Sequence, residues 1–114
     1  MPTAADIAPV LEAALAHEQL LSYASLAAQF GLAPPGQSWQ AHPFCALFEQ
    51  LDQEDAQAGR PFRTSVVVNA STNYPGNGFF TTLQRLRGVP VPPNDRVVVW
   101  AREYQAAVAY YRHQ

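Results

Sequence analysis

A segment with two closely spaced glycines, Tyr74-Pro75-Gly76-Asn77-Gly78-Phe79-Phe80, lies between a predicted strand and a predicted helix. Glycine loops at such a place can turn backbone N–H groups toward an anion, and the dipole of the following helix favours negative charge there. Two arginines on that helix can add positive charge, and an aromatic side chain of the loop can stack on the ligand. The segment therefore predicts a site for a phosphate-bearing ligand, formed by Tyr74, Gly76, Asn77, Gly78, Phe79, Arg85 and Arg87.

The same loop matches neither of two common nucleotide-binding fingerprints. It lacks the Gly-Lys-Ser/Thr sequence of a Walker A loop, and Thr81 stands where the third glycine of a dinucleotide-binding loop would be. A structural interpretation is therefore also open. In that interpretation, Gly76 and Gly78 allow positive φ angles in a tight turn, while Phe79 and Phe80 anchor the loop in the core.

Residue types suited to catalysis or metal binding occur without the spacing that such chemistry needs. His42 and Cys45 could meet as an imidazole–thiol pair on a helix, but Cys45 flanks an apolar stripe, which favours a buried and inert thiol. The histidines show no zinc-binding spacing, and no calcium-binding loop pattern occurs. The sequence thus predicts no catalytic residue, metal or cofactor, and it favours a binding domain over an enzyme. Four neighbouring carboxylates are typical of a solvated helix face: Glu49, Asp52, Glu54 and Asp55.

The charged residues divide the chain into an acidic and a basic half, although the net formal charge is only −2. Residues 1–59 contain seven acidic residues and no arginine or lysine, whereas residues 60–114 contain seven arginines and two acidic residues. Clustered positive charge predicts salt-dependent contact with phosphates. The first hypothesis is therefore recognition of nucleic acid by the C-terminal half. If the two halves instead form ion pairs with each other, the charge asymmetry serves folding rather than the binding of a ligand.

Apolar spacing and helix-breaking residues predict the elements that must position the glycine loop. Helical periodicity is clearest from Pro43 to Ala58, with Pro43 at the first helical position. The final segment has the same periodicity, although its start, Val97 to Trp100, could also be a strand. The predicted elements are a helix capped by Asp6, a helix from Ser22 to Gly31, a helix over 43–58, a buried strand over 62–69, a helix over 79–87 and a helix over 96–112.

This order of elements predicts an α+β fold: a compact, mostly helical single domain over 1–114 with a small sheet and a winged-helix-like first half. A winged-helix protein would insert the helix over 43–58 into the major groove of DNA. Because its carboxylates would then meet the phosphates, the sequence predicts nucleic-acid contact on the C-terminal half instead. The alternative is a protein–protein interaction module of the antitoxin, immunity or accessory-subunit type. Such a module would use the helix over 43–58 or the tyrosine-rich C-terminal helix.

Two segments carry a resemblance to known proteins. The stretch from Ser65 to Phe80 resembles a group of small bacterial proteins in which a Val-Val-Asn strand runs into a Pro-Gly-x-Gly-Phe loop. The segment Leu21 to Ala27 is similar to a helix in the winged-helix domain of alkyltransferase-like DNA-repair proteins. The reactive Pro-Cys-His-Arg motif of alkyltransferases is absent, because Cys45 stands in His-Pro-Phe-Cys-Ala. The resemblance implies a recurring domain rather than an established activity.

The beginning of the chain and its cysteine content predict a cytoplasmic protein with no membrane partner. The first residues lack a secretory signal, and no apolar run approaches the roughly 20 residues that span a bilayer. A single cysteine cannot form an internal disulfide, which suits a reducing compartment. The use of arginine without lysine is typical of a GC-rich bacterial genome.

Overall fold

Five α-helices and a two-stranded sheet form the regular structure of residues 2–36 and 38–112, the part of the chain that this computed structural model describes. The mostly helical α+β class with a small sheet is thereby confirmed. The helices are α1 (Ala4–Ala16), α2 (Tyr23–Gln29), α3 (Pro43–Ala58), α4 (Asn77–Arg87) and α5 (Arg96–Arg112). The strands are β1 (Leu21–Ser22) and β2 (Val67–Val68), and 3₁₀ turns cover Trp39–Ala41, Arg63–Val66 and Pro93–Asp95.

The first helix begins earlier than predicted, so the assignment of Asp6 as its N-cap is wrong. Thr3 is the N-cap: its hydroxyl accepts a hydrogen bond from the Asp6 N–H at 3.2 Å. The Asp6 carboxylate in turn accepts from the Thr3 N–H at 2.8 Å, which completes a capping box. The predicted cap of α2 is confirmed, since the Ser22 hydroxyl accepts from the Ser25 N–H at 3.0 Å.

The predicted strand over 62–69 is wrong over most of its length. Only Val67 and Val68 pair in parallel with β1, and residues 63–66 form a 3₁₀ turn. The turn forms because other groups satisfy its backbone: the Arg63 N–H donates to the carboxylate of Asp55 at 2.9 Å, and the Ser65 N–H donates to the Phe62 carbonyl. β-branched side chains favour a strand locally, but the hydrogen bond to Asp55 at the end of α3 and the bond within the turn favour the 3₁₀ conformation here.

The two C-terminal helices are placed almost as the periodicity predicts. α4 starts at Asn77 rather than Phe79, so Asn77 and Gly78 belong to its first turn. α5 spans the predicted 96–112, and the alternative of a strand at Val97 to Trp100 is wrong. Val99 and Trp100 pack against one apolar cluster, and Ala107 and Val108 are buried in another, so contacts along α5 favour the helical state.

A glycine with positive φ ends α3. Gly59 has φ +70° and ψ 27°, the left-handed conformation that L side chains adopt only at a cost. No atom lies within 4 Å of the position that a Cβ would take there, so the cost of a side chain is conformational rather than steric.

We expect Gly59→Ala to lower the free energy of unfolding by about 1 kcal/mol, as measured by urea denaturation. Gly36→Ala is the matched control, because Gly36 has equally open space and no positive φ. It should leave stability unchanged or slightly higher. Equal losses in the two variants would contradict the conformational explanation.

The elements pack around two apolar clusters. The larger joins α1, α2, α3 and the end of α5, and the smaller is built on Phe62, Phe79, Phe80, Leu83 and Val91. The Cα radius of gyration is 13.0 Å, the size of one compact domain of this length. No helix among residues 2–36 and 38–112 combines the length and apolar character needed to cross a membrane.

Candidate functional site

A cleft of about 770 Å³ opens where the first turn of α4 faces α2, α3 and the 3₁₀ turn at Trp39–Ala41. This volume falls within the range of small-ligand sites. We call it the α4 cleft. Its walls include Tyr23, Trp39, Phe48, Asp52 and Thr64. Five of the seven residues predicted to bind a ligand also line it: Gly76, Asn77, Gly78, Phe79 and Arg85.

The two remaining predicted residues lie outside the α4 cleft. Tyr74 packs edge-on against Phe80, with 6.5 Å between ring centroids, in the smaller apolar cluster. The guanidinium of Arg87 lies 4.7 Å from the centroid of the Phe62 ring and 2.7 Å from the Glu103 carboxylate. The loop and Arg85 are therefore brought together, whereas Tyr74 and Arg87 face other parts of the molecule.

The glycines of the loop do not have the positive φ angles that the structural interpretation predicts. Neither Gly76 nor Gly78 has a positive φ, and Gly76 is the extended N-cap of α4. The role of Gly78 is close approach: a Cβ there would lie 3.3 Å from the indole nitrogen of Trp39. Glycine at this position lets Trp39 sit directly against the first turn of α4.

Backbone N–H groups at the start of α4 belong to residues that line the α4 cleft. The N–H of Gly76 donates to the Tyr23 hydroxyl at 3.1 Å, which leaves the hydroxyl proton of Tyr23 free to donate elsewhere. The N–H groups of Asn77 and Gly78 come next, and among the described residues no acceptor is bound to them. Unpaired N–H groups at a helix N-terminus favour an anion or another acceptor.

Asp52 is a buried carboxyl in the wall of the same cleft. It is 3% exposed, and its Oδ1 accepts a hydrogen bond from the Thr64 hydroxyl at 2.6 Å. Within residues 2–36 and 38–112, no hydrogen bond engages its Oδ2. Burial raises the pKa of Asp52 to about 8, against the Thr64 hydrogen bond and with further support from the negative charges of Asp55 and Glu103. This raised pKa favours the protonated carboxyl at neutral pH, and in that form Asp52 can donate a hydrogen bond.

The solvated acidic face predicted for α3 is wrong at two of its four carboxylates. Asp52 and Asp55 are buried, at 3% and 0% exposure. The signal was present in the sequence, because Asp52 follows Phe48 and Asp55 follows Leu51 at a spacing of four residues, on the apolar face of the helix. Tyr23 and Trp39 were also missed, since only the folded chain brings them beside Gly76 and Gly78.

The acidic and basic halves of the sequence pair extensively with each other. Arg63 binds the carboxylates of Asp55, Glu12 and Glu54 at 3.0–3.1 Å, and Arg85 binds Glu49 at 2.7 Å. Further pairs between the halves are Arg60–Asp55 and Arg112–Glu18. Much of the charge asymmetry is therefore compensated by ion pairs within the fold. Of the paired arginines, Arg85 is the one at the rim of the α4 cleft, with its side chain 48% exposed.

The thiol and the imidazole considered for catalysis do not act together. His42 is the N-cap of α3, with Nδ1 accepting from the Phe44 N–H at 3.1 Å and Nε2 2.8 Å from the Ala33 carbonyl. Cys45 is half-buried in the wall of the α4 cleft. In the described part of the chain, no three His, Cys, Asp or Glu side chains are grouped to hold a metal ion.

Comparison with known proteins assigns no family and no function to these features. No family model matches the chain, and no curated protein or solved structure is significantly similar to it. The resemblance to small bacterial proteins and the winged-helix likeness of the first half therefore stay predictions. A functional proposal depends on the chemistry of the α4 cleft.

Proposed function

We propose that this chain is a non-enzymatic, cytoplasmic bacterial domain that recognises a phosphate-bearing ligand, such as nucleic acid, in the α4 cleft. One observation carries the proposal: polar groups from three separate elements line a single cleft, and each of them can donate a hydrogen bond when Asp52 is protonated. They come from the first turn of α4, from Tyr23 on α2 and from Asp52 on α3. A concave site rich in donors is complementary to a ligand rich in acceptors, and phosphate is the strongest such group in common metabolites and nucleic acids.

Electrostatics at the α4 cleft favour an anion. The N-terminal end of α4 carries the positive end of the helix dipole, and Arg85 adds a guanidinium at the rim. Asp52 does not oppose an anion at neutral pH because it is protonated. The remaining carboxylate in the wall, Glu49, is already paired with Arg85.

In the described part of the chain no base is hydrogen-bonded to the Cys45 thiol, and the Thr64 hydroxyl donates to a carboxyl whose protonated form burial favours, which supports a binding role. Cys45 is the thiol in its wall, and both ring nitrogens of His42 are engaged by backbone groups. A nucleophile needs a base within hydrogen-bonding reach to be activated. The groups that face the cleft can hold a ligand without transforming it.

We expect Arg85→Gln to weaken binding of a labelled single-stranded oligonucleotide carrying a 5′-phosphate by about tenfold or more. The variant removes a charged donor and also leaves Glu49 unpaired beside the phosphate. Fluorescence anisotropy at several salt concentrations measures the effect. The slope of log affinity against log salt should also become shallower.

Arg112→Gln is the control for this variant. Its charge is the same, its ion pair with Glu18 is similarly exposed, and it lies outside the α4 cleft. We expect it to bind as the parent chain does. Equal weakening in both variants would mean a diffuse charge effect rather than a cleft. No binding of any phosphate-bearing probe would overturn the proposed function.

A protein partner is the second candidate function, and exposed apolar side chains on α5 favour it. Val97 and Val98 are 54% and 50% exposed. The surfaces that the sequence offered for this role are largely used in the fold: Asp52 and Asp55 of α3 are buried, and the C-terminal tyrosines pack in part against the main core. A chain with this function alone would bind no phosphate-bearing probe in the titrations above.

A further inference from the structure

We propose, resting on the proposed function, that the group recognised is a terminal phosphate, that is, a phosphate monoester. In this assignment the carboxyl of Asp52 and the hydroxyl of Tyr23 donate hydrogen bonds to its oxygens at the floor of the α4 cleft. The ligand is either a mononucleotide-like small molecule or the phosphorylated end of a strand, because both present the same chemical group.

The floor of the cleft is built from buried polar groups with unused donors. Thr64 fixes the Asp52 carboxyl by donating to Oδ1, so Oδ2 is the oxygen left to face a ligand. The Gly76 N–H fixes the Tyr23 hydroxyl in the same way, as an acceptor whose own proton is unused. Holding these donors in place before binding reduces the entropy lost when a ligand is ordered.

The number of these donors suits a monoester. The two side chains, the N–H groups of Asn77 and Gly78, and the Arg85 guanidinium all line one cleft. A monoester brings three terminal oxygens to such a site. A phosphodiester brings two, and the site must also leave room for the strand that continues on both sides of it. The concave shape of the cleft favours a group at the end of a molecule.

The charges outside the cleft give a second reason to expect binding of a terminal phosphate rather than contacts along the backbone of a strand. Continuous binding of a nucleic-acid backbone depends on a surface of uncompensated positive charge. Outside the cleft, Arg60, Arg63, Arg87 and Arg112 are each paired with a carboxylate, and in the described part of the chain only Arg96 and Arg102 are not. One phosphate held by local donors needs no such surface.

Binding should depend on pH through the protonation of Asp52. The groups that act on this carboxyl are Thr64, Asp55, Glu103 and Arg63, and the same carboxyl acts on Tyr23. Burial is the main cause of its raised pKa, about 8, so above that pH a buried carboxylate would face the phosphate. The second pKa of a phosphate monoester is about 6, so the charge of the ligand is constant in this range.

The test compares four probes: AMP, adenosine, and one single-stranded oligonucleotide with either a 5′-phosphate or a 5′-hydroxyl. We expect the 5′-phosphate to raise oligonucleotide affinity at least tenfold, and AMP to bind where adenosine does not. Comparable affinity for AMP and the phosphorylated strand identifies a small-molecule ligand, and tighter binding of the strand identifies a strand end. Equal binding of the two oligonucleotides would overturn this inference and leave the proposed function standing. Failure of every phosphate-bearing probe would overturn both.

Variants at the floor of the cleft test the roles of its side chains. With AMP, we expect the parent affinity to fall about tenfold per pH unit above pH 8, and Asp52→Asn to remove this fall because an amide does not titrate there. Asp95→Asn, the same change at an exposed site, should keep it. Tyr23→Phe should weaken AMP binding about five- to tenfold, and Tyr104→Phe should not. An unaltered pH profile in Asp52→Asn, or unchanged affinity in Tyr23→Phe, would overturn the assignment of that side chain.

Discussion

Replacing Arg63 by methionine is expected to lower the free energy of unfolding by about 3–5 kcal/mol, a large share of the stability of a domain of this size. Methionine keeps much of the volume and removes the charge. Asp55, which is 0% exposed, then stays buried with one of its two cationic partners gone. Breaking one side of a buried ion pair is costly, because the buried carboxylate then depends on Arg60, whose side chain is 30% exposed, as its remaining counter-ion.

The geometry around Arg63 explains the size of this effect. Its Nε lies 3.1 Å from Asp55 Oδ1, and its terminal nitrogens reach Glu12 on α1 and Glu54 on α3. The Asp55 carboxylate also accepts from the backbone N–H of Arg63 at 2.9 Å. One side chain thus connects α1, the end of α3 and the 3₁₀ turn that replaces the predicted strand.

Urea denaturation of four variants measures the effect: Arg63→Met, Asp55→Asn, the double variant that combines them, and Arg85→Met. Arg85→Met removes an exposed ion pair and should cost less than about 1 kcal/mol. The double variant Asp55→Asn/Arg63→Met should lose less stability than the two single variants added together, because no lone buried charge remains. A loss below 1 kcal/mol in Arg63→Met, or strict additivity in the double variant, would show that the network does not stabilise the fold.

Asp52→Asn is expected to make the protein more stable at pH 7, by on the order of 3 kcal/mol. In the folded chain Asp52 keeps its proton up to about pH 8, whereas an aspartate in an unfolded chain releases it near pH 4. The stability contributed by this proton is complete at low pH and is lost as the pH rises toward 8. An asparagine carbonyl can still accept from Thr64, and no ionisation of the unfolded chain opposes folding.

Thermal or urea unfolding between pH 4 and pH 9 tests this expectation. The stability difference between Asp52→Asn and the parent should increase with pH and level off above about pH 8. Asp95→Asn, at an exposed position, should show no such trend. A difference that is constant with pH would mean that Asp52 is ionised in the folded protein. A stabilising substitution at a buried position is typical of a residue kept for binding rather than for folding.

The helices could be predicted from the sequence because local signals determine them. The stripe Phe44, Phe48 and Leu51 and the first-turn proline place α3, and the left-handed Gly59 and Gly88 end α3 and α4. Capping by Ser22 is equally local. These features depend on residues within one or two turns of each other, so the chain itself carries the information.

The floor of the cleft could not be predicted in the same way. Its contacts join Tyr23 to Gly76 and Asp52 to Thr64, residues that are distant in sequence. The glycine loop and Arg85 were identified because helix N-termini and cations have recognisable chemistry. Asp52 was assigned to solvent because aspartate is usually exposed, although its spacing from Phe48 placed it on the apolar face.

The short parallel pairing of β1 with β2 has a consequence for the order of folding. Leu21 and Val67 are far apart in sequence, so their pairing closes a long loop that contains α2 and α3. Contacts of such high contact order form late, after the local helices, and they slow folding. β1 leads directly into Tyr23, so we expect the α4 cleft to be completed in these late steps. A ligand held there would bind the native state alone and would slow its global unfolding.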